Sequence, residues 1–92
     1  MKSILQNEKE CFFCGTIFNL HDHHIFFGTA NRKISEKYGF KAYLCAGHHN
    51  MSNTSVHHNR KLDLVLKSAC QRKFEETHSR EEFIKLIGRS YL

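Results

Sequence analysis

The sequence predicts a small α+β domain in which two short strands bracket a basic connection, a zinc knuckle lies beneath them and two C-terminal helices pack across. Three observations lead there. Cys11-Phe12-Phe13-Cys14-Gly15 sets two thiols on a tight turn, two short apolar runs have β character, and the last third of the chain carries a helical apolar period. At 92 residues this is one domain, 1–92, near the size where an apolar core alone gives modest stability and a metal staple is common.

Residues 1–10 hold Lys2, Glu8, Lys9 and Glu10 without a sustained apolar period, and read as a loose lead-in to a core spanning 11–58. Gly15 follows the knuckle where the chain must reverse, a step that favours positive φ. Ile17 to Leu20 suits a short strand leading back. His24-Ile25-Phe26-Phe27 predicts the first main strand, ended by Gly28. Thr29 to Phe40 reads as a polar, basic connection with a helical turn over Ile34 to Tyr38, and Lys41-Ala42-Tyr43-Leu44 as the second strand. Two strands form an incomplete sheet that needs a cover. Residues 59–92 supply it. Leu62, Val65, Leu66, Ala69, Cys70 and Phe74 recur at threes and fours as one buried face of a helix from about Val56 to Glu76. Ser79-Arg80-Glu81-Glu82 is a capping box opening a last helix with Phe83, Ile84, Leu86 and Ile87 inward and Gly88 as its stop.

Composition narrows the function classes. An apolar fraction of 40% argues against a disordered tail. Fourteen Lys and Arg against nine Asp and Glu suit a domain that meets a polyanion. No long apolar run, secretion signal or lipidation motif points to a membrane, so a cytoplasmic setting with reduced thiols is expected.

Reduced thiols at close spacing are metal ligands by default. Cys11, Cys14, Cys45 and His48 form two pairs, C-x-x-C and C-x-x-H, and each short turn offers two donors to one tetrahedral zinc. Four protein ligands leave no position for substrate, so this zinc is structural. Cys70, on the apolar helix face, reads as core. All but one of the eight histidines fall in three packets, at 21–24, 48–49 and 57–58. His23, His24, His49 and His57 remain as a separate group, because neighbouring His48 and His49 point apart at a helix start and can serve different ions.

The order C-x-x-C, His-His-Ile at a strand, Leu-Cys-x-x-His-His and Val-His resembles the HNH nucleases, the ββα-metal or His-Me finger group, most closely small phage and prophage members with a zinc knuckle. Asn31-Arg32, Ser35-Glu36-Lys37-Tyr38-Gly39 and Gln71-x-x-Phe74-Glu75 add to the likeness, which runs from Cys11 to the C-terminus. The resemblance implies a ββα-metal core and a metal-dependent endonuclease that nicks or cuts DNA, leaving a 5′ phosphate. It implies His24 as general base and His23, His49 and His57 as ligands of a catalytic divalent cation, Mg²⁺ or Mn²⁺, with Ni²⁺ or Zn²⁺ as alternatives. It also implies a phage or prophage role in a bacterial host, with recombination, replication or packaging proteins as partners. Imidazole suits the base, since a water must lose its proton near neutral pH.

The sequence departs from the family pattern in three places. His48 stands where a fourth cysteine is usual, the middle asparagine would fall near Phe40 and is missing, and the interval from His49 to His57 is long. Asn31 or a backbone carbonyl is expected to orient the base instead, and Asp22 and His58 are the rival ligands. Because successive strand residues face opposite sides, a bend is expected between His23 and His24. His21 reads as a loop residue or phosphate contact and His78 as surface. Arg32, Lys33, Lys37, Lys41 and Arg60 are the expected DNA-backbone contacts, with Lys61 beside them. The competing classes are a non-catalytic, zinc-stapled DNA-binding or adaptor module and a metal-storage module.

Overall fold

A computed structural model describes residues 3–26, 29–51 and 59–92 of the chain. The elements run β1 (Leu20–His24), α1 (Thr29–Tyr38), β2 (Lys41–Cys45), a π-helical turn (Gly47–Met51), α2 (Arg60–Phe74) and α3 (Arg80–Ile87). It is a small mixed α/β fold with a two-stranded antiparallel sheet. The expected C-terminal part of the core, including Val56, His57 and His58, and the expected strand end at Phe27 and Gly28 lie outside the described residues.

β1 pairs with β2 in unbroken register from Leu20 opposite Cys45 to His24 opposite Lys41. Backbone bonds from Ala46 to Asn19 and from Ile25 to Phe40 extend the pairing at both ends, at 3.0 and 2.9 Å. The first strand therefore ends at His24, where it was expected to begin, and of the expected Ile17–Leu20 strand only Leu20 is extended into the ladder. Apolar character alone missed this, because β1 is held by cross-strand partners of polar side chains rather than by an apolar face.

A ribbon of two strands is marginal alone. Residues 3–12 cover the outer edge of β2 without themselves forming a strand. Ile4 N–H donates to Gly39 O at 3.0 Å and Phe12 N–H to Tyr43 O at 2.9 Å. Tyr43 N–H donates to Gln6 Oε1 at 2.8 Å, and the Ser3 hydroxyl donates to Lys41 O. The N-terminal segment thus carries bonds that a third strand would make.

The core sits between the sheet and the helices. Ile25, Phe26, Phe40, Ala42, Leu44, Leu66, Cys70, Phe74 and Phe83 are buried. Phe26, Phe40, Phe74 and Phe83 meet in one aromatic cluster, with Phe26–Phe40 and Phe40–Phe74 centroids 5.6 and 5.5 Å apart and near edge-to-face. Such pairs add roughly 0.5–1.5 kcal/mol each beyond area burial.

The basic connection is a full helix, α1, instead of a single turn. Its inward stripe is narrow: Ile34 and Tyr38 are half-buried and Ser35 is buried, while Arg32, Lys33, Glu36 and Lys37 face outward. So thin a stripe leaves a faint period. Ser35 anchors it: its Oγ donates to Phe26 O at 3.4 Å, and its backbone carbonyl accepts from Phe40 N–H at 2.9 Å.

α2 starts at an Asn59 cap, whose Oδ1 accepts from Lys61 and Leu62 N–H at 3.0 and 3.3 Å. Its buried residues are Asp63, Leu66, Lys67, Cys70, Gln71 and Phe74, a regular inward stripe of which half is polar. Val65, expected inward, is 47% exposed. α3 has the expected capping box between Ser79 and Glu82, and Gly88 ends it with φ of +100°. Among the described residues no helix is long and apolar enough to cross a membrane.

Candidate metal centre

The knuckle brings Cys11 and Cys14 to the end of β2. Gly15 takes φ of +76°, its N–H donating to Cys11 O at 2.9 Å, so the turn closes with both thiols on one side. Cys45 ends β2 and His48 lies in the π-helical turn that follows. The ligand atoms of Cys11, Cys14, Cys45 and His48 all lie within 4.8 Å of one another. Cys14 Sγ is 3.8 Å from Cys45 Sγ, and His48 Nδ1 is 3.6 Å from Cys11 Sγ and 3.2 Å from Cys45 Sγ. A tetrahedral zinc with ordinary bond lengths gives sulfur–sulfur edges of about 3.8 Å and sulfur–nitrogen edges of about 3.6 Å. The donor set fits one metal ion, and all four cysteines are free.

Burial pushes the Cys11 thiol up, but backbone N–H groups of Cys45, Cys14 and Phe13, with the Cys14 thiol, outweigh it and hold Cys11 at about 6. The Thr16 N–H pulls the Cys14 thiol down, yet desolvation and the neighbouring Cys11 and Cys45 sulfurs leave it raised. Cys70 is buried in the core, and desolvation pushes its thiol up, as befits a packing residue.

The histidines divide between the faces of β1. Because the register is continuous, no bend separates His23 from His24, and alternation sends their rings to opposite sides. On one side stand His21 and His23 with His49. The His23 and His49 ring centroids are 5.2 Å apart, and His21 Nδ1 lies 2.7 Å from His49 Nδ1. So short a separation is a hydrogen bond, shorter than the edge of a metal polyhedron. His21, expected in a loop, is therefore a strand residue that holds His49. His23 is buried. The rest of the expected cation set, His57, lies outside the described residues, and among those described only the Cys11, Cys14, Cys45, His48 group is close enough to hold a metal ion.

On the other side His24 and Asp22 face Lys41 and Glu36. His24 Nε2 is 2.7 Å from Glu36 Oε1, and Lys41 Nζ lies 3.0 Å from both Glu36 oxygens and 3.2 Å from Asp22 Oδ2. Hydrogen bonds from His24 and Lys41 hold the Glu36 carboxyl at about 2, well below the carboxylate range. Burial pulls the Lys41 ammonium down, but Glu36 and Asp22 more than offset it and keep it raised. Asp22, the rival ligand, is thus engaged with Lys41 and faces away from His49.

Of the expected DNA contacts, Lys41 is corrected: its side chain is 5% exposed and turned inward to two carboxylates, so it is not presented to a phosphate. Arg32, Lys33 and Lys37 line, with Glu36, an open depression of about 600 Å³ on α1. Arg60 is exposed and reaches Asp63 at 3.1 Å. His78 is exposed, stacked on Phe74 with centroids 4.1 Å apart.

Sequence reasoning passed over Glu36 and His21. The signal was present for His21, two residues before His23 on an alternating strand, but was masked by starting the strand at His24. Glu36 looked like one more charge in a basic run. No family model matches this chain, and no curated protein or solved structure matches it either.

Proposed function

We propose that the chain is a metal-dependent DNA endonuclease of HNH type, with Cys11, Cys14, Cys45 and His48 holding a structural zinc. The observation that carries the reading is the approach of His23 and His49 to 5.2 Å on one face of β1, beside the ligand group, while His24 stands on the opposite face beside the basic surface of α1. In-line displacement at phosphorus sets the attacking water and the departing 3′ oxygen on opposite sides. On this reading the scissile phosphate must lie at the outer edge of β1, the one place that side chains from both faces of the strand reach. His23, His49 and His57 would hold a divalent cation, which would supply charge stabilisation on the phosphate and leaving oxygen. His24 takes the proton from water, and Arg32, Lys33, Lys37 and Arg60 hold neighbouring phosphates without reading sequence. Neither Asn31 nor a backbone carbonyl, the two groups expected to orient the base, is needed where Glu36 does so.

A second reading has one observation in its favour. His24 Nε2 is already engaged by Glu36, and a zinc-stapled DNA-binding adaptor needs no base. Nicking of supercoiled plasmid in Mg²⁺, Mn²⁺ or Ni²⁺ separates the two. The endonuclease reading expects His24→Ala to lose roughly 10²- to 10⁴-fold in rate with its zinc retained. DNA binding by the wild-type protein without cleavage in any cation favours the adaptor.

A further inference from the structure

We infer that Glu36 is the positioning residue of His24, fixing which ring nitrogen is free to accept the proton from water. The inference rests on the endonuclease reading above. His24 Nε2 lies 2.7 Å from Glu36 Oε1. An ionised carboxylate only accepts hydrogen bonds, so His24 Nε2 carries a proton, and in the neutral imidazole that a base requires Nδ1 is then the acceptor. The imidazole is thereby locked in one tautomer and one orientation, the service that a base's partner performs.

The carboxylate is itself held. Lys41 donates to both Glu36 oxygens at 3.0 Å from a side chain that is 5% exposed, so the exposed Glu36 carboxylate is gripped by a buried ammonium. Lys41 is fixed by its place in β2 opposite His24 and by Asp22 Oδ2 at 3.2 Å. Asp22, His24, Glu36 and Lys41 thus form one network drawn from both strands and α1. Glu36 lies in the same depression as Arg32, Lys33 and Lys37, which brings the oriented base beside the basic groups.

Three readouts test the role. Nitrogen-15 correlation spectra of the wild-type ring are expected to show the Nε2–H tautomer of His24, and Glu36→Ala a mixture of both. Glu36→Ala is expected to lower kcat for plasmid nicking about 10- to 100-fold with KM and zinc content unchanged. Glu36→Gln, whose amide oxygen still accepts from Nε2–H, retains the tautomer and most of the rate, which covers the case in which the alanine variant folds poorly. In a His24→Ala background, Glu36→Ala costs nothing more in single-turnover cleavage. A wild-type Nδ1–H tautomer, a full rate in Glu36→Ala, or an equal loss in the His24→Ala background overturns the role while leaving the nuclease standing. A wild-type protein that shows the Nε2–H tautomer but never cleaves DNA removes the endonuclease reading, and the catalytic role of Glu36 with it.

Discussion

Cys11 shows how a single residue is tuned before any ion is considered. It is buried, yet the backbone amides turned toward it hold its thiol at about 6, so it is already a thiolate at neutral pH. Ligands must be deprotonated to bind. Above pH 6 the metal displaces no proton from Cys11; below it one more proton must leave. The dependence of zinc affinity on pH should therefore steepen by about one proton below pH 6, and competition titrations across pH 5 to 8 measure it. An unchanged slope means that the Cys11 thiol does not titrate near pH 6. His21 acts at the same scale by a different route. Its Nδ1 lies 2.7 Å from His49 Nδ1, a hydrogen bond that fixes the orientation of the His49 ring. On the endonuclease reading, His21→Ala should raise the divalent-ion concentration needed for nicking about 10- to 100-fold while zinc content stays constant. Ligand spacing made the first site legible in the sequence. The grouping of the histidines was not legible, since which of them share a face depends on where the strand begins.

Among the elements, α2 is the one whose sequence conceals its packing. Its inward stripe alternates apolar residues with Asp63, Lys67 and Gln71, so a search for apolar period placed Val65 inside and left those three outside. Each has a local reason to be buried. Asp63 Oδ2 lies 2.8 Å from Lys67 Nζ, with Arg60 at 3.1 Å from the same oxygen. Gln71 ties down the C-terminus: its Oε1 accepts from Tyr91 N–H at 2.6 Å and its amide donates to Ser90 Oγ and Glu75 Oε2 at 3.0 and 2.7 Å. Glu75 in turn takes Arg80 of α3 at 3.2 Å, which explains a Gln71-x-x-Phe74-Glu75 pattern that spacing alone did not. Removing one partner of a buried pair costs far more than removing both. Asp63→Ala should therefore lower stability by about 3–5 kcal/mol, and the double change Asp63→Leu with Lys67→Met should recover most of it, as urea melts of holoprotein will report. Equal losses in both variants would show that the pair is not what the helix depends on. The caps of α3 were legible because their rules are local: Ser79 and Gly88 each act within four residues, whereas the Asn59 cap of α2 was hidden by an expected helix start near Val56. The extent of α1 was not legible, because its stripe of Ile34, Ser35 and Tyr38 is too narrow to stand out and gains meaning only once Phe26 and Phe40, on either side of it in the chain, are folded against each other.

At the scale of the whole molecule, β2 is shared by two assemblies. Its outer edge and C-terminal end carry residues 3–12 and the ligand group, whereas Ala42 and Leu44 belong to the core that packs on the helices. The ligands Cys11 and Cys14 come from one side of β1 in sequence, and Cys45 and His48 from the far end of β2. An ion held by all four closes the chain around a sheet of only two strands. Structural zinc contributes roughly 10–16 kcal/mol of apparent binding energy, comparable to or larger than the 5–15 kcal/mol that stabilises an ordinary domain. Loss of the ion should then melt the sheet and, through β2, the helical core as one unit. A cation held by histidines alone, with positions left open for substrate, exchanges far more readily. The two proposed ions should accordingly leave in sequence. Brief exposure to a mild chelator should stop nicking with the thermal transition unmoved, and activity should return with Mg²⁺ or Mn²⁺. A strong zinc chelator should abolish the cooperative transition itself, and only added zinc should restore it. Cys45→Ser should resemble the second state from the outset. If strong chelation leaves the melting curve in place, the four ligands do not hold a structural ion, and the two-stranded sheet must be stable on its packing alone.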